Sequence, residues 1–120
     1  MSNDSPPPLA VPLSAMVTLA VEYWRLSNWL ARIPSAVPAG PARHALRRME
    51  ELLKLCDLEV VSFDRRDYDA GLAVTVIDTI DDPKLPVGKT IVAQTLSPMV
   101  LHKGAVVRNA EVTIRRGTAV

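Results

Sequence analysis

Few residues of this 120-residue chain have the types and spacing that metal or nucleophilic chemistry requires. The two histidines, His44 and His102, have no cysteine or carboxylate at metal-ligand spacing, so the sequence predicts no metal site and two solvated imidazoles. The one cysteine, Cys56, excludes an internal disulfide. Because Cys56 lies in a leucine-rich segment, we expect it to be an inert core residue.

Two further patterns resemble catalytic or ligand-binding motifs only in part. Asp64, Asp67 and Asp69 form a carboxylate cluster, but the run lacks the Gly and terminal Glu of a calcium loop and is better interpreted as a turn. The tripeptide 88–90, Gly-Lys-Thr, matches the end of a phosphate-binding loop, yet Pro83 stands where that loop needs its first glycine. The sequence therefore favours a binding protein without a cofactor over an enzyme.

Composition restricts the class of protein further. The chain is 48% apolar and only 4% aromatic, with 14 basic and 13 acidic residues, so it is long enough for one small domain and has almost no net charge. This balance argues against nucleic acid or an anionic membrane as a partner. The first four residues lack the positive flank of a secretion signal, and the apolar stretch 9–21 is too short to span a bilayer. We expect a soluble cytoplasmic protein.

Hydrophobic periodicity predicts a helix over residues 13–33. Residues 1–10 come before it and are rich in proline, which predicts a disordered tail. Within the helix the polar residues follow a single narrow stripe, and nearly every other position is apolar. A chain of this size can hardly cover so much apolar surface, so a partner subunit or another protein is expected to cover it. The stripe consists of Ser14, Thr18, Glu22, Arg25, Asn28 and Arg32.

A second amphipathic helix is expected over residues 40–56. Gly40 and Pro41 suit its first turn, and the short connector after Pro34 makes residues 11–56 a helical hairpin. The apolar face of this second helix comprises Ala42, Ala45, Leu46, Met49, Leu52, Leu53 and Cys56.

After Asp57 the apolar period changes to that of strands. Short β-branched segments alternate with turn formers, which predicts a small all-β head domain of short antiparallel strands over residues 57–116 and a tail at 117–120. Helices followed by strands indicate an α+β fold. The expected strands are 58–63, 72–80, 90–96, 104–108 and 111–115, and the expected turns include 81–83, 86–88 and 102–104.

The neutral total conceals two opposite blocks of charge. Residues 57–82 contain eight acidic and two basic side chains, a net charge of −6, whereas residues 83–120 contain six basic and one acidic, a net charge of +5. One interpretation is that the two blocks pair and screen each other. The other is a bipolar docking surface for a protein with matching patches.

Four segments in order carry a resemblance to a known family. They are the helix-to-strand segment 46–61, the segment 63–70 (Phe-Asp-Arg-Arg-Asp-Tyr-Asp-Ala), the turn and strand 81–92, and the closing segment 104–114 (Gly-Ala-Val-Val-Arg-Asn-Ala-Glu-Val-Thr-Ile). Together they resemble the GrpE family, the nucleotide exchange factors of DnaK-type heat-shock chaperones. Within the closing segment, Ala105 stands where the family has an arginine toward the chaperone, and Arg108 matches the second arginine.

The resemblance implies a homodimer whose hairpins form a four-helix bundle and whose β head docks on a DnaK-type or related actin-fold ATPase and promotes nucleotide release. Phe63 and Asp64 would then be structural, filling the core of the head and fixing a turn. The implied partner-binding positions are Leu96, Val100, Lys103, Gly104, Ala105, Arg108 and Ile114. The expected dimerisation residues are Leu13, Met16, Val17, Ala20, Trp24, Leu46, Met49 and Leu53.

Two alternatives remain open at this point. Ala105, and the lack of the family's long N-terminal stalk helix, favour a structural or adaptor subunit of this fold that has no exchange activity. A small nucleic-acid-binding barrel using the basic residues 83–120 is the other alternative. It lacks the exposed aromatic side chains on which bases stack, because the only phenylalanine is Phe63 and both tryptophans lie in the first helix.

Overall fold

A computed structural model, which describes residues 5–120, confirms the α+β class, with a helical hairpin followed by a small β domain. The helices are α1 (Leu13–Ala31) and α2 (Gly40–Leu55). The strands are β1 (Leu58–Val61), β2 (Val74–Pro86), β3 (Thr90–Ser97), β4 (Met99–His102), β5 (Ala105–Arg108) and β6 (Ala110–Ala119).

Prolines lie at the start of both helices, and both helices begin where the sequence predicts them. Pro12 precedes α1, and Pro41 occupies the first turn of α2, where its missing N–H has no intrahelical partner to lose. Residues 6–12 form no helix or strand. Of the tail predicted at 1–10, residues 1–4 lie outside the described part of the chain.

The first apolar core joins the hairpin to a three-stranded sheet of order β1-β4-β5. Antiparallel β4 is the central strand of this sheet, and α1 packs across it. Burial of aliphatic side chains is the main force that holds the helices to the sheet. This core contains Val17, Ala20, Val21, Leu53, Leu58 and Val100.

The second core lies on a separate sheet of order β2-β6-β3. Ala110, Val112 and Ile114 are buried at alternate positions of the central strand β6, as the twofold period of a strand requires. They pack with Phe63 and Val92. The burial of Phe63 agrees with its expected role in the core of the head.

The strand topology differs from the expected antiparallel arrangement. β2 and β3 are consecutive, yet β6 lies between them, antiparallel to β3 and parallel to β2. β2 therefore does not stop at the predicted turn 81–83 but continues to Pro86, because Asp81 and Asp82 pair with Arg116 and Gly117 of β6. The strand Met99–His102 was not predicted as a separate element.

The predicted tail at 117–120 is wrong, because β6 continues to Ala119. Gly117 donates a backbone hydrogen bond of 2.8 Å to Lys89, and Val87 donates one of 3.0 Å to Ala119. A Cβ at position 117 would collide with the carbonyl group of Pro86. The end of β6 is thus tightly enclosed by the end of β2, and glycine is required there for close approach of the two backbones.

Candidate partner-binding surface

The β4–β5 hairpin forms one edge of the first sheet. Its turn residues Lys103 and Gly104 both have positive φ, 51° and 80°, which is the conformation of tight two-residue hairpin turns. The backbone N–H of Lys103 donates a hydrogen bond of 2.9 Å to the carbonyl oxygen of Asp57, at the corner between α2 and β1. The hairpin tip is therefore held against the helical hairpin.

β5 is an edge strand with an apolar surface. Val106 and Val107 are 46% and 38% exposed, and no other strand of the sheet pairs with the outer edge of β5. The register between β4 and β5 shifts after the Val100–Arg108 pair, so Val107 has no partner on β4. Exposed valines on a short, irregular edge are a surface available to another protein.

Cationic side chains lie at both ends of β5. Arg108 is only partly exposed and contacts the carboxylate of Glu111 at 3.6 Å. Lys103 at the tip is exposed, and among the described residues no carboxylate oxygen lies within ion-pair distance of its Nζ. The hairpin therefore combines an apolar centre with two positive ends.

Five of the seven expected partner-binding residues lie on the β4–β5 hairpin, and four of these are at least partly exposed. These four are Lys103, Gly104, Ala105 and Arg108. Leu96 is exposed as well, but it belongs to β3 in the other sheet.

Val100 and Ile114 are not available for binding a partner, and their assignment to the surface is wrong. Val100 is completely buried, because it lies on the central strand β4 beneath α1. Ile114 lies on the central strand β6 and points into the second core.

A groove lies between the hairpin tip and the two helices. Its volume is about 680 Å³, and its ionisable lining residues are Tyr23, Glu50, Lys54, Asp57, Glu59 and Lys103. Tyr23 donates a hydrogen bond of 3.2 Å to Glu50, which also contacts Lys54 at 3.1 Å. Partial burial, followed by the adjacent Glu50 charge, raises the pKa of Tyr23, whereas the hydrogen bond from Lys54 lowers the pKa of Glu50. This network connects α1 to α2 and was not apparent from the sequence.

Asp64 has the structural role expected of it. Its Oδ1 accepts a hydrogen bond of 2.5 Å from the backbone N–H of Thr95, and Oγ1 of Thr95 accepts one of 2.9 Å from the backbone N–H of Phe63. These reciprocal bonds fasten the chain after β1 to β3. Arg66 stacks over Phe63, 5.0 Å from the ring centroid.

Most expected dimerisation residues are covered by the chain itself, so their assignment to a dimer interface is wrong. The helices pack on the first sheet and on each other, and this packing buries most of the residues that the resemblance implied for a dimer. Met16 and Met49 are partly buried, while Leu13 stays exposed. The buried ones are Val17, Ala20, Trp24, Leu46 and Leu53.

Other apolar side chains of the helices are exposed instead. Leu19, Leu26 and Trp29 are 44%, 46% and 60% exposed on α1, and Leu52 is exposed on α2. Cys56 is exposed too, which contradicts its prediction as a core residue, since it follows the last turn of α2 and is not covered there. The expectation that α1 presents apolar surface thus agrees with the structure, but the side chains concerned are different.

The two charge blocks pair along β2 and β6. Arg116 contacts Asp81 at 2.8 Å, and Arg115 contacts Asp82 at 3.6 Å. The screening interpretation is therefore confirmed at these two pairs. Exposed ion pairs of this kind add little stability, about 0–1 kcal/mol each.

Within residues 5–120, no group of three or more His, Cys, Asp and Glu side chains is arranged to bind a metal ion. No helix in this same part of the chain is long and apolar enough to span a membrane. No protein-family profile matches the sequence, and no curated protein matches it either.

Proposed function

We propose that the chain is a GrpE-like exchange factor that binds the nucleotide-binding domain of a DnaK-type or related actin-fold ATPase through its β4–β5 hairpin. The observation that carries the proposal is the composition of this hairpin: exposed Val106 and Val107 between the cations Lys103 and Arg108. Val106, Val107 and Arg108 belong to the segment 104–114 that resembles the closing segment of the family, and Lys103 directly precedes it.

The proposed mechanism needs no catalytic group. A protein that binds the open form of a two-lobed ATPase more tightly than the closed form shifts the population toward the open form. Since nucleotide is held between the lobes, this shift lowers nucleotide affinity, and by linkage nucleotide weakens binding of the exchange factor equally. The chain has only to present a rigid surface.

Rigidity of the hairpin supports this role. Its inner strand β4 is central in the first sheet and carries the fully buried Val100. The backbone N–H of Lys103 at its tip donates a hydrogen bond to the backbone of Asp57, and Trp24 on α1 donates one to Ser62, directly after β1. Hydrogen bonds and packing therefore hold the hairpin in place against the helical hairpin and within the sheet.

The test measures release of a fluorescent nucleotide from the DnaK-type ATPase encoded in the same genome. The wild-type chain should accelerate release, and Arg108→Ala should reduce the acceleration about tenfold, as is common when an interfacial arginine is removed. Arg48→Ala is the matched control, because Arg48 likewise forms an exposed pair with a glutamate three residues away, Glu51, but lies on α2. It should leave the acceleration unchanged.

A second variant tests position 105, where this chain has alanine and the GrpE family has an arginine. Ala105 is exposed at the start of β5, next to the turn, so an arginine fits there without entering a core. Ala105→Arg should strengthen the acceleration. If neither wild type nor Ala105→Arg accelerates release, the exchange function is wrong, and the structural or adaptor function replaces it.

We also propose that the chain is a homodimer in the cytoplasm. The support for the dimer is the apolar surface that α1 exposes at Leu19, Leu26 and Trp29.

A further inference from the structure

The outer edge of β1 has no neighbouring strand within residues 5–120, and it borders the groove between the hairpin tip and the two helices. The lining of that groove includes Leu58, Glu59 and Val60, which are consecutive residues of β1. Because successive side chains of a strand point to opposite faces of the sheet, a groove that contacts all three lies along the edge of the strand. The groove therefore gives access to the backbone of β1.

The hydrogen bond between Lys103 and Asp57 indicates which backbone groups of β1 face the groove. The N–H of Lys103 donates to the carbonyl oxygen of Asp57, and the register of β1 and β4, continued by one residue, places these two opposite each other. In an antiparallel pair, bonded and non-bonded positions alternate, so Glu59 bonds to β4, whereas the N–H and C=O groups of Leu58 and Val60 point outward. No loop or helix in the described part of the chain bonds to these outward groups.

Outward backbone groups on a strand edge are recognised by an extended polypeptide, because an added strand supplies N–H and C=O groups at the matching spacing. β1 has four residues, so it extends about 13 Å and can accept a segment of similar length. The groove, with a volume of about 680 Å³, leaves space beside this edge. Since so short a strand forms few backbone bonds, side chains must supply the rest of the affinity.

The two faces of β1 favour different side chains on an added segment. Leu58 is buried in the first core and Val60 packs against it, and Ala20 and Leu53 of the same core also line the groove. Glu59 points to the opposite face and is exposed. Side chains that lie across from each other on neighbouring strands share a face. The neighbours of Leu58 and Val60 should therefore be apolar, and the neighbour of Glu59 should carry a positive charge.

The charges of the groove also favour a basic segment over an acidic one. Glu50 is paired with Lys54 at 3.1 Å. Within the described residues, no ion pair involves Asp57, Glu59 or Lys103. The unpaired ionic groups of the lining are thus two carboxylates and one ammonium group, a net charge of −1. A basic side chain on the partner compensates this charge, whereas an acidic one increases the repulsion.

We infer that the groove binds an extended segment of another protein as an added strand on β1, and that this segment alternates apolar and basic residues. The site lies on the opposite edge of the first sheet from the one that the proposed function uses, β1 instead of β5. The inference does not depend on nucleotide exchange, and its tests involve no ATPase.

Fluorescence anisotropy with a labelled octapeptide of alternating valine and lysine tests the side-chain preference. The wild-type chain should bind this peptide saturably, and an octapeptide of alternating valine and glutamate should bind at least about tenfold more weakly. Glu59→Lys should also weaken binding of the valine–lysine peptide at least about tenfold, because attraction becomes repulsion.

Asp78→Lys is the matched control for Glu59→Lys. Asp78 is likewise an exposed carboxylate of an edge strand and has no ion pair among the described residues, but it belongs to the second sheet. This variant should bind the valine–lysine peptide as the wild type does. Circular dichroism of both variants should match the wild type.

Amide hydrogen exchange followed by NMR tests the addition of a strand. Saturating valine–lysine peptide should slow exchange at Leu58 and Val60, whose N–H groups gain acceptors. Exchange at Glu59 should change less, since its N–H is already bonded to β4. An analogue of the peptide with every backbone nitrogen methylated cannot donate to β1 and should bind at least about tenfold more weakly.

Three results would overturn the inference. Absence of saturable binding up to about 1 mM valine–lysine peptide would show that the edge does not take up such a segment. Binding that leaves exchange at Leu58 and Val60 unchanged would show that the peptide is not added as a strand on β1. Slower exchange at these two amides as the concentration of the chain itself is raised, without peptide, would assign the edge to a second copy.

Discussion

Nε1 of Trp24 on α1 donates a hydrogen bond of 2.7 Å to Oγ of Ser62, directly after β1. The two residues are 38 positions apart, and the indole is almost completely buried. This bond ties the helical hairpin to the segment that leads from the first sheet into the second. Orientation of the β4–β5 hairpin relative to the helices therefore depends partly on a single polar contact.

Replacing Trp24 by Phe should lower the free energy of unfolding by about 1–3 kcal/mol, because Ser62 loses a partner and the smaller ring leaves a cavity. Ser62→Ala alone should cost less, about 1 kcal/mol. A double-mutant cycle with urea unfolding measures the coupling between the two, which should be positive. Additive effects would mean that the hydrogen bond contributes nothing.

Thr95→Val should destabilise the chain by about 1–3 kcal/mol, although valine has the same shape as threonine. The substitution leaves the buried backbone N–H of Phe63 without an acceptor, while the bond from Thr95 N–H to Asp64 stays in place. Thr95→Ser retains the hydroxyl and should recover most of the loss. Chemical denaturation of the three proteins provides the comparison, and equal stability of the Val and Ser variants would contradict the assigned role.

Gly117→Ala should cost about 1–3 kcal/mol, since the added methyl group overlaps the carbonyl of Pro86 and forces β2 and β6 apart. Gly40→Ala is the matched control. A Cβ at position 40 meets no atom within 4 Å, and alanine favours the helix that begins there, so this variant should be as stable as wild type or about 0.5 kcal/mol more stable. The midpoint of thermal unfolding should fall for Gly117→Ala and should stay unchanged or rise slightly for Gly40→Ala.

The Tyr23–Glu50 contact should make stability fall at alkaline pH. The pKa of Tyr23 is raised above its ordinary value of 10.0 by partial burial first and by Glu50 second. Because the pKa of Tyr23 is raised in the folded state, the stabilising contribution of Tyr23 is fully present below pH 10. This contribution is lost as the pH rises through the folded-state pKa. Tyr23→Phe should therefore be less stable than wild type at pH 7, and the difference between their free energies of unfolding should narrow above pH 10.

Unfolding of the two proteins by urea at pH 7, 9 and 10.5 measures that difference. Glu50→Gln keeps the tyrosine hydroxyl and removes the charge beside it, so the alkaline loss should be smaller in this variant than in wild type. If the difference in free energy of unfolding between Tyr23→Phe and wild type is the same at all three values of pH, the Tyr23–Glu50 contact does not contribute to stability as proposed.

Local sequence determined both helices and the class of fold. Pro12 and Pro41 mark the starts of the two helices, Pro34 follows the end of α1, and Phe63 and Asp64 have the structural roles expected of them. Backbone sterics and hydrophobic periodicity act over a few residues. They can therefore be recognised in the sequence without knowing which distant segments pack together.

The tertiary structure alone decided which apolar residues remain exposed. Periodicity marks both Val17 and Leu19 as apolar helix positions, but the sheet covers Val17 and leaves Leu19 in water. Likewise, Val100 and Val107 both lie in β-branched segments, and only the order of strands makes one central and the other an edge residue. Burial depends on partners that are distant in sequence, such as β6 between β2 and β3, and no local pattern specifies such partners.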